Sequence, residues 1–256
     1  MIELTLTDLA FAWGAIAIAI SLSFWQRLGL EWQLFIASFR TIVQLLFVGY
    51  ILAIVFAADQ PFLVLGILAI MLTIAAVVAR NRISQKIPKL LFLVWGSILT
   101  STALTIGYTN LLVIKPEVWY EPQYLIPLTG IVLGNAMNAA AISGERLVST
   151  INASPLEIET YLSLGATSKQ AVEKYRKEAV KAGLIPTINS MMVVGIVTLP
   201  GIITGQLLTG ADPLVAAAYQ ILIMFMLALG NLTTALLVTW GLCRQFFNRE
   251  EQLQKF

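Results

Sequence analysis

Residues 62–79 read Phe-Leu-Val-Leu-Gly-Ile-Leu-Ala-Ile-Met-Leu-Thr-Ile-Ala-Ala-Val-Val-Ala, and Arg80 and Arg82 follow at once. As an α-helix this stretch would rise about 27 Å, close to the hydrocarbon thickness of a bilayer. It holds no charge and is apolar on every face, so it lacks the polar stripe of a helix on a soluble domain. It reads as a transmembrane helix, and its arginine-flanked end reads as cytoplasmic.

Six further runs have this character: about Leu9–Trp25, Leu34–Ala57, Leu90–Ile114, Tyr124–Ser143, Leu184–Leu208 and Pro213–Leu242. The runs are continuous rather than alternating with period two, which disfavours a β-barrel. The expected fold is therefore an all-α, polytopic membrane bundle of about seven helices. It is read as a single transmembrane permease domain over 1–256. Composition agrees: 58% of the 256 residues are hydrophobic and 12% are charged, about half the charge of a soluble domain. The mean hydropathy is +0.84.

Charge placement orients the bundle. With the N-terminus outside, the inner segments hold Arg27; Arg80, Arg82, Lys86 and Lys89; Arg146, Lys169, Lys174, Arg176, Lys177 and Lys181; and Arg244, Arg249 and Lys255. That is all but two of the 16 basic residues. Lys115 falls outside and Arg40 falls within a span. Glu3, Asp8, Asp59, Glu117, Glu121 and Asp212 fall outside. This bias predicts an outside N-terminus and a cytoplasmic C-terminus. Acidic Glu3 and Asp8 precede the first run where a signal peptide would carry basic residues, so a retained first helix is expected.

The counts also exclude chemistry. There is no histidine, and Cys243 is the only cysteine. An intrachain disulfide and a thiolate metal cluster are both impossible. No Gly-Lys pair occurs, so the phosphate-binding loop Gly-x-x-x-x-Gly-Lys-Ser/Thr is missing. No enzymatic activity and no cofactor are expected of this chain, and nothing in its charge suggests nucleic acid.

One segment between runs, about Gly144–Gly183, is long and charged. Ser154-Pro155-Leu156-Glu157 has the spacing of a capping box with proline at the first helical position. This helix should end at Gly165. Thr167 and Gln170 repeat the capping-box spacing and open a second, amphipathic helix over about Ser168–Ala182. Its faces carry Glu173 with Lys177 and Lys174 with Glu178, each at four-residue spacing. Read alone, the pair is either a structured linker or a protruding docking element.

Glu159-Thr160-Tyr161-Leu162-Ser163-Leu164-Gly165-Ala166 resembles the cytoplasmic coupling motif of ABC-transporter permeases. Glu159 and Gly165 match in spacing, while Thr160 and Tyr161 stand where that motif has two alanines. Gly134-Asn135-Ala136-Met137-Asn138, Ser143-Gly144-Glu145-Arg146, Leu164-Gly165-Ala166-Thr167, Thr198-Leu199-Pro200-Gly201 and Arg40-Thr41-Ile42-Val43-Gln44 resemble the FetB-type permease family over nearly the whole chain. Members of that family are described as iron-export permeases, with plant relatives linked to aluminium tolerance. The resemblance implies a permease homodimer in a bacterial cytoplasmic membrane. Two copies of a separate ABC ATPase subunit would bind the ATP. Glu157, Glu159, Leu164, Gly165 and Ala166 would then form the ATPase-coupling surface.

Polar groups inside the spans are candidates for a transport pathway. Arg40, with Gln44 one turn on, reads either as a substrate or gating contact or as a side chain reaching the headgroups. Gly130 and Gly134 suit close helix approach; Asn135 and Asn138 suit either packing or a pathway. Ser97, Ser101 and Thr105 share one face as interhelical hydrogen-bonding groups. Met191, Met192, Gln206, Met224, Met226 and Asn231 lie in the last two runs. Thioethers suit Cu(I), yet methionine also serves as adaptable packing. Of these, Met192 and Gln206 complete the pathway set. No carboxylate lies in a span core, so the residues themselves offer no tight site for a hard cation such as iron. The rival reading is a stand-alone carrier or channel, for which paired intramembrane carboxylates or inverted repeats would be expected.

Overall fold

The computed structural model describes residues 6–58, 60–248 and 250–254. Glu3, Asp59, Arg249 and Lys255 lie outside the described residues. Among the described residues the secondary structure is helical, with only isolated bridges at Val194–Thr198 and Phe247–Leu253. The chain divides into two compact units, residues 1–60 and 61–256.

The first unit holds α1 (Leu6–Trp25) and α2 (Glu31–Ala58), which pack on each other. The turn between them is fastened by Ser23. Its hydroxyl donates to Glu31 Oε1 at 2.9 Å and accepts from the Leu30 N–H. Trp13 meets Phe35 edge to face.

The second unit is built on α3 (Pro61–Ile83), α4 (Leu90–Tyr108), α5 (Pro122–Ala153), α6 (Pro155–Ser163), α7 (Ser168–Val193), α8 (Gly201–Leu208) and α9 (Pro213–Gln245). A π-helical turn, Thr109–Ile114, prolongs α4. Helix α5 packs against α3, α4, α7 and α9, and α9 packs in turn on α4, α7 and α8. Small residues allow this density. Ala136, Ala139, Ala140 and Ala141 of α5 are all buried. At Gly183 of α7, a methyl group would stand 3.1 Å from the Ala139 carbonyl oxygen of α5, so these two backbones meet directly. Gly130 abuts Met71 of α3, whereas among the described residues nothing lies within 4 Å of a methyl group placed at Gly134.

Five helices are long and apolar enough to cross a bilayer: Glu31–Ala58, Pro61–Ile83, Leu90–Ile114, Pro122–Ala153 and Pro213–Gln245. A shorter apolar helix covers Phe11–Trp25. The expected run Leu184–Leu208 is not one helix. Its first ten residues are the end of α7, which passes Pro186 without interruption and stops at Val193. The Val193 carbonyl then accepts N–H bonds from Ile196, Val197 and Thr198. Gly195 takes φ +81, a left-handed conformation open to glycine. Pro200 then starts α8. The break is local backbone chemistry inside an apolar stretch, so hydropathy does not reveal it.

Candidate functional site

Segment 144–183 folds in three parts. Helix α5 runs on to Ala153, beyond the apolar run. Ser154 then closes α5 and opens α6 at once, with φ −125 and ψ 42. Its side chain makes no cap bond, so the capping box read from Ser154 and Glu157 does not form. Helix α6 is short, nine residues. Ile158 is fully buried and Leu162 half-buried, one turn apart, and they tie α6 to the core of the second unit.

The rest of α6 faces outward. Leu156 is 77% exposed and Leu164 79% exposed, and Glu157, Glu159, Tyr161 and Gly165 are exposed with them. Ala166 is half-buried. The helix ends in a Schellman turn: the Ala166 N–H donates to the Tyr161 carbonyl and the Gly165 N–H to the Leu162 carbonyl, both at 3.0 Å. Gly165 sits at φ +88, where a side chain would be strained.

Helix α7 starts as its sequence predicts. Thr167 Oγ1 accepts from the Gln170 N–H, and Gln170 Oε1 accepts from the Thr167 N–H at 2.9 Å. A second fastening comes from far along the chain. The Ser168 N–H donates to Glu251 Oε2 at 3.1 Å, placing a carboxylate at the positive end of the helix. Glu251 belongs to a tight terminal turn in which Asn248 Oδ1 accepts from the Glu250 and Gln252 N–H groups.

A groove of about 470 Å³ separates α6 from α7. Lys174 spans it to Glu157, with 3.8 Å between Nζ and Oε1. Both side chains are largely exposed, so this pair adds little stability. Tyr175 is buried beneath them; among the described residues its hydroxyl makes no hydrogen bond of full geometry, though Glu157 and Ser154 lie near enough to act on it. Burial raises its pKa above the usual tyrosine value, and the neighbouring Glu157 carboxylate pushes the same way. Glu173 is held below the usual carboxylate range by the Lys177 ammonium, 2.7 Å away.

The pathway residues named from sequence are scattered. Arg40 and Gln44 stand exposed, one turn apart, on α2 of the first unit. Asn135 folds back to donate to the Ile131 carbonyl of its own helix at 2.9 Å, and Asn138 is exposed. Met192 is 72% exposed. Gln206 on α8 buries its Oε1 with no hydrogen-bond partner among the described residues. The structure instead gathers polar groups inside the second unit. Thr234 Oγ1 donates to Ser101 Oγ at 2.6 Å, linking α9 to α4. Asn231 Nδ2 donates to Thr187 Oγ1 at 2.6 Å, linking α9 to α7. Thr105 Oγ1, Gln220 Oε1 and Asn231 Oδ1 are buried beside these helices with no hydrogen-bond partner among the described residues. A cavity of about 370 Å³ at the α7–α8 break is lined by Met191, Gly195, Pro200, Gln220 and Met224. Thr187 and Gln220 had not been singled out in sequence. Gln220 is a lone amide in an apolar run, which is the signal that could have found it, whereas Thr187 sits with Asn189 and Ser190 and is not marked out in that way.

Long apolar helices tied together by buried hydroxyl and amide groups define a polytopic helical membrane protein. The chain belongs to the family described as Uncharacterised protein family (UPF0014), whose model matches residues 6–247. It is 53% identical over 253 residues to the UPF0014 membrane protein slr1647 of Synechocystis sp., covering 99% of this chain and 98% of that one. It is 34% identical to the Escherichia coli protein described as "Probable iron export permease protein FetB", covering 98% of this chain and 95% of that one. With Protein ALUMINUM SENSITIVE 3 of Arabidopsis thaliana it shares 32% identity over 96% of this chain and 88% of the relative. No solved structure matches the chain.

Proposed function

We propose that the chain is the membrane-spanning permease subunit of an ABC transporter and works as an exporter. In this reading it forms one transmembrane domain that crosses a bacterial cytoplasmic membrane seven times. The N-terminus is outside and the C-terminus cytoplasmic. The break after Val193 lies within the sixth crossing. Two copies pair with two copies of a separate ATPase subunit, which carry the ATP.

The observation that carries the reading is the joint between α6 and α7. A short helix presents Leu156, Glu159 and Leu164 outward, with Glu157 at the edge of the groove. Gly165 and Ala166 form a rigid turn, and a capped helix runs without interruption from that turn to the break at Val193. At about 1.5 Å per residue α7 is close to 39 Å long. Movement of a docked ATPase would therefore reach the α7–α8 cavity through one element, and two arrangements of that element would alternate access.

The substrate class we assign is a metal ion such as iron, on the printed description of the Escherichia coli relative. Among the described residues no three His, Cys, Asp or Glu side chains come together. A cation would instead meet neutral oxygens and thioethers, which hold it loosely enough for release. We assign Asn135, Asn138, Met192 and Gln206 of the second unit to the route and add Gln220 and Asn231; Arg40 with Gln44, on the first unit, we assign to a gating contact of the transport pathway, since a guanidinium cannot coordinate a cation.

The test is reconstitution. The chain with its cognate ATPase should move iron out of the compartment facing the ATPase only when ATP is supplied. Iron flux through the chain alone, without ATP, would instead identify a carrier or channel.

A further inference from the structure

A second groove, of about 440 Å³, lies between the first turns of α7 and the last turns of α9, beside the terminal turn. Lys169 and Arg176 reach it from α7, and Arg244 reaches it from α9. Two carboxylates also border it, and both are engaged. Glu173 is 2.7 Å from Lys177 Nζ, and Glu251 accepts the Ser168 N–H. Among the described residues, Lys169, Arg176 and Arg244 form no ion pair. Arg176 is half-buried in that state. Glu173 lies close enough to feel the Arg176 and Lys169 charges but is paired with Lys177, so the groove holds three cations against two carboxylates that are already engaged and carries surplus positive charge.

Its position says what balances that charge. Helix α9 is one of the long apolar helices, and the groove lies at its final turns. The Arg244 guanidinium stacks on the Trp240 ring, 3.8 Å from its centroid. Tryptophan followed by arginine at the end of a spanning helix marks the headgroup level of a bilayer. The phosphodiester of an anionic lipid brings one negative charge that no choline ammonium cancels, and two free oxygens, which match guanidinium N–H groups in pairs. A free phosphate would offer the same chemistry but no apolar tail to lie along α9.

We propose that this groove binds the phosphate headgroup of an anionic membrane lipid, clamped by Lys169, Arg176 and Arg244. The lipid bridges α7 to α9 at the root of the exposed α6–α7 joint. The inference needs only that α9 spans a membrane and does not depend on an ATPase partner.

The test uses the purified full chain in nanodiscs of equal phosphatidylglycerol and phosphatidylcholine, released into the gas phase for native mass spectrometry. The wild type should retain phosphatidylglycerol about tenfold over phosphatidylcholine, on the scale of attraction per basic side chain at a membrane surface. Arg176→Gln with Arg244→Gln should bring the two lipids close to parity. Lys169→Gln with Arg244→Gln is the substitute pair if the first does not purify as a folded protein. Arg146→Gln removes the same charge from α5 and should keep the preference. Equal retention of both lipids by the wild type would overturn the proposal, as would an undiminished preference in both groove variants. A third arm adds inorganic phosphate during a melting scan in phosphatidylcholine. Stabilisation there without any phosphatidylglycerol preference would assign the groove to a soluble anion and overturn the lipid.

Discussion

Asn231 of α9 donates its side-chain amide to Thr187 Oγ1 of α7 across 2.6 Å, one residue beyond Pro186. Both residues are buried, and among the described residues Asn231 Oδ1 has no hydrogen-bond partner. Inside a bilayer such a bond has no water to replace it, yet measured couplings between polar side chains on membrane helices average only ~0.6 kcal/mol. A double-mutant cycle of Asn231→Ala and Thr187→Val, read as unfolding free energy in detergent, should return a coupling of ~0.5–2 kcal/mol. A coupling indistinguishable from zero would mean the two side chains do not meet.

The Schellman turn gives a functional prediction. Gly165→Val forces a β-branched residue into a left-handed conformation and should misdirect the end of α6, at a cost of ~1–2 kcal/mol confined to the turn. Glu159→Lys reverses a charge on the outward face of α6. Both variants should reach the membrane at wild-type levels yet retain the ATPase subunit poorly on co-purification, by about fivefold or more. Lys115→Glu should retain it normally. Full retention by both α6 variants would remove the joint from the docking surface.

Topology is tested by cysteine labelling in a background without Cys243. Probes at 59, 115 and 212 should react from outside, and probes at 86, 170 and 250 only after permeabilisation. An internal position for 212 would mean that α7 and α8 together do not complete a crossing.

The raised pKa of Tyr175 has a sign that can be checked. Folding holds the hydroxyl in its neutral form, so its contribution is full below pH ~10, the unfolded value, and is lost as pH rises toward the folded pKa. Thermal unfolding of the wild type should therefore weaken as pH rises above ~10 more than that of Tyr175→Phe. At pH 7 the phenylalanine variant should lie within ~1 kcal/mol of the wild type, because the hydroxyl it removes makes at most a weak contact with Glu157 and Ser154. An identical alkaline decline in both proteins would place the titration elsewhere.

The legible parts of the molecule were those set by neighbours in sequence. The apolar run ending at Arg80 and Arg82 became α3, and Thr167 with Gln170 closed the capping box their spacing announced. Gly165 took the turn that only its own flexibility suggests. Ser154 failed because it terminates α5 while starting α6, so its backbone answers to two helices. The bonds from Thr234 to Ser101, 133 residues apart, and from Ser168 to Glu251, 83 residues apart, depend on which helices become neighbours. No local pattern encodes that. Asn135 looked free to reach across helices, but its own Ile131 carbonyl was nearer.

The bare backbone contact at Gly183 divides α7 into unequal arms. About 24 Å of helix lies between it and Thr167, and about 15 Å between it and Val193. If the crossing with Ala139 acts as a fulcrum, α7 is a lever geared down toward the cavity. Displacement at the Thr167 end would then arrive reduced to about two-thirds, and force increased in inverse proportion. Such gearing suits parting closely packed helices rather than swinging through open space. It also makes Gly183 the position where one added methyl group would press on Ser143 and the Ala139 carbonyl and lift α7 off its pivot.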